Sequence, residues 1–159
     1  MIMGYGGTSE LKFRVDHDGN VYADGQYYTP IPGFAEMLPG PAGLEAGDVL
    51  VVGLDGNLAR CDTAYQPTVV GVYSPQAGVI GGRSADTAGQ VPLAVVGVGR
   101  VKVSAENGPI TPGDLLVAAA TPGHAMRAGA NPPLGTVIGK ALGSLDKDTG
   151  IVLMLVMLR

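Results

Sequence analysis

Two stretches of the chain repeat one pattern, Gly47-Asp48-Val49-Leu50-Val51 and Gly113-Asp114-Leu115-Leu116-Val117. Each runs on to a glycine-centred turn (Gly56, Gly123), an arginine (Arg60, Arg127) and a further apolar segment. That segment is Val69-Val70-Gly71-Val72 in the first copy and Val137-Ile138-Gly139-Lys140 in the second. The offset between copies drifts from 66 to 67 to 68 residues, as single-residue loop insertions would produce. Each copy reads strand, glycine turn, strand, loop, strand. A unit that small cannot bury its apolar face alone, so the two copies are expected to close on each other. The fold expected is all-β, with a Gly-rich barrel or sandwich body built on an internal duplication. An Asp just after a turn glycine can hold backbone amides with its carboxylate. Gly47, Asp48, Gly113 and Asp114 are therefore read as turn-forming, structural residues.

The segments around the repeat point the same way. Val91 to Ala105 is rich in β-branched residues and carries an outward Lys102 between Val101 and Val103. Ile151 to Leu158 is apolar on both faces of a strand. Such a strand is either central in a sandwich or set at a subunit interface. Ile151, Leu153, Leu155 and Met157 are accordingly candidate interface residues. Residues 78–90 read as a mobile loop by composition. No segment shows helical periodicity with caps.

The chain divides into three parts by character. Residues 1–32 hold four of the six tyrosines. Here Phe13 and Val15 lead into Asp18-Gly19, and Val21 and Ala23 lead into Asp24-Gly25, which is a hairpin signal and predicts a β-hairpin arm. Asp16, Asp18 and Asn20 imitate the start of a calcium loop, but Val21 stands where that loop needs Gly and Tyr27 where it needs Glu. Residues 33–43 are dense in proline and glycine and read as a crossover rather than a regular element. Residues 44–159 form the duplicated body.

Composition narrows the function classes. Ten basic and fourteen acidic residues give a net charge of −4 with no basic run, which argues against nucleic acid as a partner. Charged residues are only 15% of the chain and apolar ones 46%, so a fully solvated monomer surface is hard to build. A homo-oligomer is expected. The longest apolar run is too short to cross a bilayer, and the first residues lack the pattern of a signal peptide. The single cysteine, Cys61, has no second cysteine or histidine at ligand spacing and reads as a small buried residue. No metal or cofactor site is expected. Gly135 to Ala141 imitates a phosphate loop, but it has one residue too few between its glycines and Ala where Ser or Thr is required. His17 and His124 read as turn residues. Five per cent aromatic content is low for a sugar-binding platform.

The motif order Phe34-Ala-Glu-Met-Leu38, "GDVLVV", "VVGVYS", "VKVSAENGPITPGDLLV", "TPGHAMRA" and "GTVIGKALGSL" ending in "GIVLMLVML" resembles a known family. It is similar to the C-terminal, autoprocessing, intramolecular-chaperone-type domains of bacteriophage tail-fibre and neck-appendage proteins and related bacterial proteins of unknown function. The resemblance covers roughly residues 30–159, and the arm looks like the short stalk segment that precedes such domains. It implies a structural role as a trimerisation and capping domain, assembled in the bacterial cytoplasm into a virion or phage-derived particle. Its partners would be two further copies, an upstream fibre or virion protein and a host-surface receptor. Some relatives cut themselves free with an acidic pair, and Glu36 is the residue that this would make catalytic here. The chain departs from that pattern at Gly33, where the pair's aspartate would stand. A self-cleaving chaperone and a capsid-decoration-like trimer are the alternative readings.

Overall fold

In the computed structural model, which describes residues 2–7, 10–82 and 87–158, the chain is all-β. No helix occurs among the described residues. Two compact units are present, residues 1–30 and 31–159.

The first unit is a three-stranded antiparallel sheet of β1 (Ile2–Tyr5), β2 (Leu11–Val15) and β3 (Val21–Ala23), in that order. The turn between β2 and β3 is set by Asp16. Its Oδ1 accepts the amides of Asp18 and Asn20 at 3.0 and 2.9 Å, and its Oδ2 accepts the Asn20 side-chain amide at 3.1 Å. The acids that imitate a calcium loop are thus built around an Asx turn, with Gly19 in the left-handed region.

The second unit holds β4 (Phe34–Pro39), β5 (Val49–Val52), β6 (Leu58–Arg60), β7 (Val69–Tyr73), β8 (Val79–Gly81) and β9 (Gln90–Ser104). It continues with β10 (Leu115–Ala118), β11 (Ala125–Arg127), β12 (Val137–Ala141) and β13 (Thr149–Val156). Strands β9, β11, β10, β12 and β13 close into a five-stranded barrel, shut by a short parallel pairing of Ala125 with Val103. The 15-residue β9 belongs to both halves of the body. Its C-terminal part pairs with β13 from Gly97↔Val156 to Ser104↔Thr149. Its N-terminal part lies between β4 and β7, with Ala94 opposite both Ala35 and Val72.

The two copies of the repeat follow the same path. Leu50 pairs with Arg60 and Gly71 in the first, Leu116 with Arg127 and Gly139 in the second. A register shift falls between Leu50 and Val51 and again between Leu116 and Val117. The Gly47 amide donates to Tyr73 O and the Tyr73 amide to Asp48 O. Gly113, Ala141 and Asp114 repeat both bonds. Gly47 and Gly113 turn the chain with φ of 91° and 96°, a conformation that strains any residue with a Cβ. One buried cluster joins the copies: Val49, Val51, Val72 and Val101 pack with Leu116, Ile138, Val152 and Met154.

Three local expectations change. The proline-rich stretch contains β4, paired with β8 on one side and β9 on the other, because Phe34 to Leu38 is free of proline. The stretch expected to be a loop contains β8, and its residues 83–86 lie outside the described residues. In the single chain β13 is not buried on both faces: Val152, Met154 and Val156 point into the core while Ile151, Leu153 and Leu155 stay exposed.

The shared core gives a direct test of mutual dependence. Leu116 is fully buried among residues of both copies, so Leu116→Ala should destabilise the protein by about 3 kcal/mol through lost burial and a residual cavity. Denaturant unfolding of the body should remain a single transition, since its largest buried cluster draws on both copies.

Candidate functional site

Two features stand out on the body, a charged centre at the first Gly-Asp turn and an apolar outer face beside it. The turn at Gly47 places the Asp48 side chain inward, where it is fully buried. A buried carboxylate is costly unless it is paired and hydrogen-bonded. Asp48 Oδ2 accepts the Glu45 amide at 2.8 Å, Arg60 Nε at 3.0 Å and Arg60 Nη2 at 2.9 Å. Lys102 Nζ donates to Oδ1 at 2.9 Å and also meets the Glu45 carboxylate. Arg60 Nη2 donates in addition to Gly43 O at 2.8 Å. Three elements therefore converge on one carboxylate: the turn before β5, the end of β6 and the C-terminal part of β9.

The second copy closes over this centre. Val49 donates its amide to Gly123 O, and the Gly123 amide donates to Cys61 O. A Cβ on Gly123 would lie 2.6 Å from Asp48 Oδ1, so only glycine lets this turn sit against the carboxylate. Burial pushes the Asp48 carboxyl up, but the Glu45 amide, Lys102 and Arg60 outweigh it and hold the group below its ordinary 3.8. Burial likewise pushes Lys102 down, and the carboxylates of Glu45 and Asp48 hold it above its ordinary 10.5.

The matching position in the second copy is simpler. Asp114 Oδ2 accepts the Thr111 amide at 2.8 Å and its hydroxyl at 3.1 Å. Arg127, the counterpart of Arg60, turns instead to Asn107 O at 3.3 Å. A second carboxylate, Glu106, holds the β10–β11 turn to the end of β9. It accepts the amides of Ala120 and Thr121 at 2.7 and 3.1 Å and the Thr121 hydroxyl at 2.6 Å. These roles of Arg60, Lys102 and Glu106 are not legible in the sequence. For Arg60 the repeat itself is a signal, since an arginine recurs at the same place in both copies.

The outer face is built from β12, β13 and β9. Ile151, Leu153 and Leu155 are 55%, 49% and 40% exposed and lie opposite Lys102, Arg100 and Val98 of β9. Leu155 also faces Lys140 of β12, and the exposed Leu142 donates its amide to Leu153 O. Met157 is half-buried just beyond β13. A cleft of about 240 Å³ adjoins Leu153 and Arg100, lined by Ile31, Pro32, Tyr73 and Pro75. The three exposed β13 residues thus form one apolar row with basic side chains on both flanks.

Glu36 lies mid-way along β4, its backbone opposite Gly81 and Leu93. Its carboxylate stands beside Gly81 and Gly82. Cys61 is buried, with burial pushing its thiol up to about 11, which suppresses the reactive thiolate. His17 faces Asp18 on the surface, and His124 Nδ1 meets Pro122 O at 2.8 Å. Among the described residues no three His, Cys, Asp or Glu side chains form a metal-binding group, and no helix is long and apolar enough to cross a membrane.

No protein-family model matches the chain, and none of the curated proteins does. Among solved structures it is similar to the pre-mature gene product 12 of bacteriophage phi29, with a TM-score of 0.70 and 13% sequence identity. The match covers 92% of this chain and 24% of that one, so the chain spans about a quarter of the length of the protein it matches. At this identity the likeness is one of fold.

The two Gly-Asp turns should respond unequally to loss of their carboxylates. Asp48→Ala leaves Lys102 and Arg60 without their buried partner and should cost about 3 kcal/mol. Asp114→Ala removes only local turn bonds and should cost about 1 kcal/mol. Because the folded Asp48 carboxyl titrates below its unfolded value, its contribution is present above about pH 4 and is lost as pH falls through the depressed value. Urea midpoints measured across pH 2–6 check this: Asp48→Asn should show a shallower acid loss than the parent.

Proposed function

We propose that this chain is the trimerisation and capping module of a phage-type fibre or appendage. Its role is structural: the body brings chains into register and closes the end of the assembly. The observation that carries the reading is the apolar row Ile151, Leu153 and Leu155, uncovered on a single chain at the side of the body. In a chain with so few charges, such a row favours a second copy over water. The basic flanks Arg100 and Lys140 would lie at the rim of that contact, where charges set register more than affinity. The threefold state comes from the family resemblance, and the phi29 fold likeness supports a phage setting. Placement in a virion, an upstream fibre protein and a host-surface receptor belong to the same proposal.

Self-cleavage is the weaker reading. Gly33 stands where the acidic pair's aspartate would be, and the backbone of Glu36 is paired on both sides. Purified parent protein and Glu36→Gln are both expected to keep an unprocessed N-terminus. A new N-terminus in the parent that vanishes in the variant would restore the self-cleaving chaperone.

Native mass spectrometry and light scattering test the assembly. The parent should run as three chains. Leu155→Asp sets a charge on an exposed site of the single chain, so the fold should survive while the assembly falls to one chain. An unchanged oligomeric mass in Leu155→Asp would remove β13 from the interface.

A further inference from the structure

Residues 105–108 make a tight turn after β9 and carry the one Asn-Gly pair of the chain, Asn107-Gly108. The turn accounts for both residues. Gly108 has a φ of 91°, and a Cβ on it would lie 3.0 Å from Arg127 Nη2, so the position favours glycine twice over. Asn107 reaches across to the end of β11. Its Nδ2 donates to Arg127 O at 2.8 Å, and Arg127 Nη2 donates back to Asn107 O at 3.3 Å. The Gly108 amide donates to Ala105 O at 2.8 Å. Glu106 pins the same turn through the amides of Ala120 and Thr121.

Asn-Gly is also the least durable pair in a polypeptide, because glycine leaves its nitrogen open to the asparagine side chain. In this turn both reacting groups are already engaged: the nitrogen donates to Ala105 O and the carboxamide is drawn away to Arg127 O. Asn107 itself is exposed, so bonding and not burial guards it.

We propose that Asn107-Gly108 is a latent deamidation site, closed by this turn and converted only when the turn opens. The Gly108 nitrogen gives up its proton to hydroxide and bonds to Asn107 Cγ. The Cγ–Nδ2 bond breaks and the side-chain nitrogen leaves as ammonia. Water then opens the resulting cyclic imide at either carbonyl, giving aspartate or, with the main chain running through Cγ, isoaspartate. A water enters, an ammonia leaves, and nothing is oxidised or reduced. Neither product rebuilds the clamp. A carboxylate only accepts hydrogen bonds and offers nothing to Arg127 O, and isoaspartate adds a backbone carbon between Ala105 and Gly108. An opening that lasts long enough thus becomes irreversible, and residue 107 records it.

Peptide mapping by mass spectrometry on the full chain tests this, reading the exchange of amide for acid at residue 107 in mildly alkaline buffer. The folded parent should keep Asn107. In urea the parent should convert about thirtyfold faster, the factor that two hydrogen bonds of ordinary net strength supply. Glu106→Ala frees the turn from Ala120 and Thr121 without touching the pair, and the folded variant should convert about tenfold faster than the folded parent. Val91→Ala trims a separate cluster, that of Leu50, Leu58 and Leu93, and should leave the rate at the parent's value. Equal rates in folded and unfolded parent overturn the proposal, as does a folded Glu106→Ala that converts no faster than the parent. Equal acceleration in Val91→Ala and Glu106→Ala overturns it as well, by making unfolding of the body, not the turn, the gate.

Discussion

A buried carboxylate ties the body together. Asp48 lies where the turn before β5, the end of β6 and the C-terminal part of β9 meet, and it is held from each of them by a hydrogen-bonded donor. Such a centre need not add net stability over a well-packed apolar one. What it adds is selection: a shifted register of β9 would take Lys102 away from the buried Asp48 carboxylate. The glycine turn of the second copy then closes over it at Gly123, where a side chain would collide with the carboxylate. The charged centre thus fixes how the two halves of the body meet.

The duplication has kept its backbone and divided its chemistry. The paired strands, the bulges after Leu50 and Leu116 and the turn bonds at Gly47 and Gly113 all recur. Side chains diverge where the environments differ. Asp48 is enclosed by the other copy and needs cations, whereas Asp114 is partly open to water and is content with Thr111. Arg60 and Arg127 follow suit, one serving a buried carboxylate and the other a loop carbonyl. Strand β9 reconciles the halves by serving both, flanked by β4 and β7 at one end and by β13 at the other.

The outside of the molecule reflects its low charge content. The row of β13 places apolar side chains on the outside of the body, and the N-terminal sheet keeps its charges to one of its faces. The other face of β13 is committed to the barrel core, and the charged face of the sheet holds an ion pair and a stacked arginine. A strand offers two faces, and here the two differ in character. A fibre-end module of the kind proposed would use the β13 row.

The all-β class, the duplication and the hairpin at Asp18-Gly19 are legible in the chain itself, because they depend on local alternation, turn chemistry and a repeated string. So is the capacity of Asp48 and Asp114 to bond turn amides, which requires only three or four residues of context. The strand at Phe34 to Leu38 is hidden by the prolines around it, which mask a short proline-free segment. The roles of Lys102 and Arg60 are hidden for a different reason: each meets Asp48 across a separation of 54 or 12 residues. Nothing local distinguishes an outward lysine on a strand from one that reaches a buried acid. The two apolar faces of β13 are visible in its composition, but which one enters the core follows from the register with β9. Sequence determines the pieces because short-range forces shape them. Tertiary structure decides which charges meet and which apolar surface stays uncovered, because both depend on contacts between residues far apart in the chain.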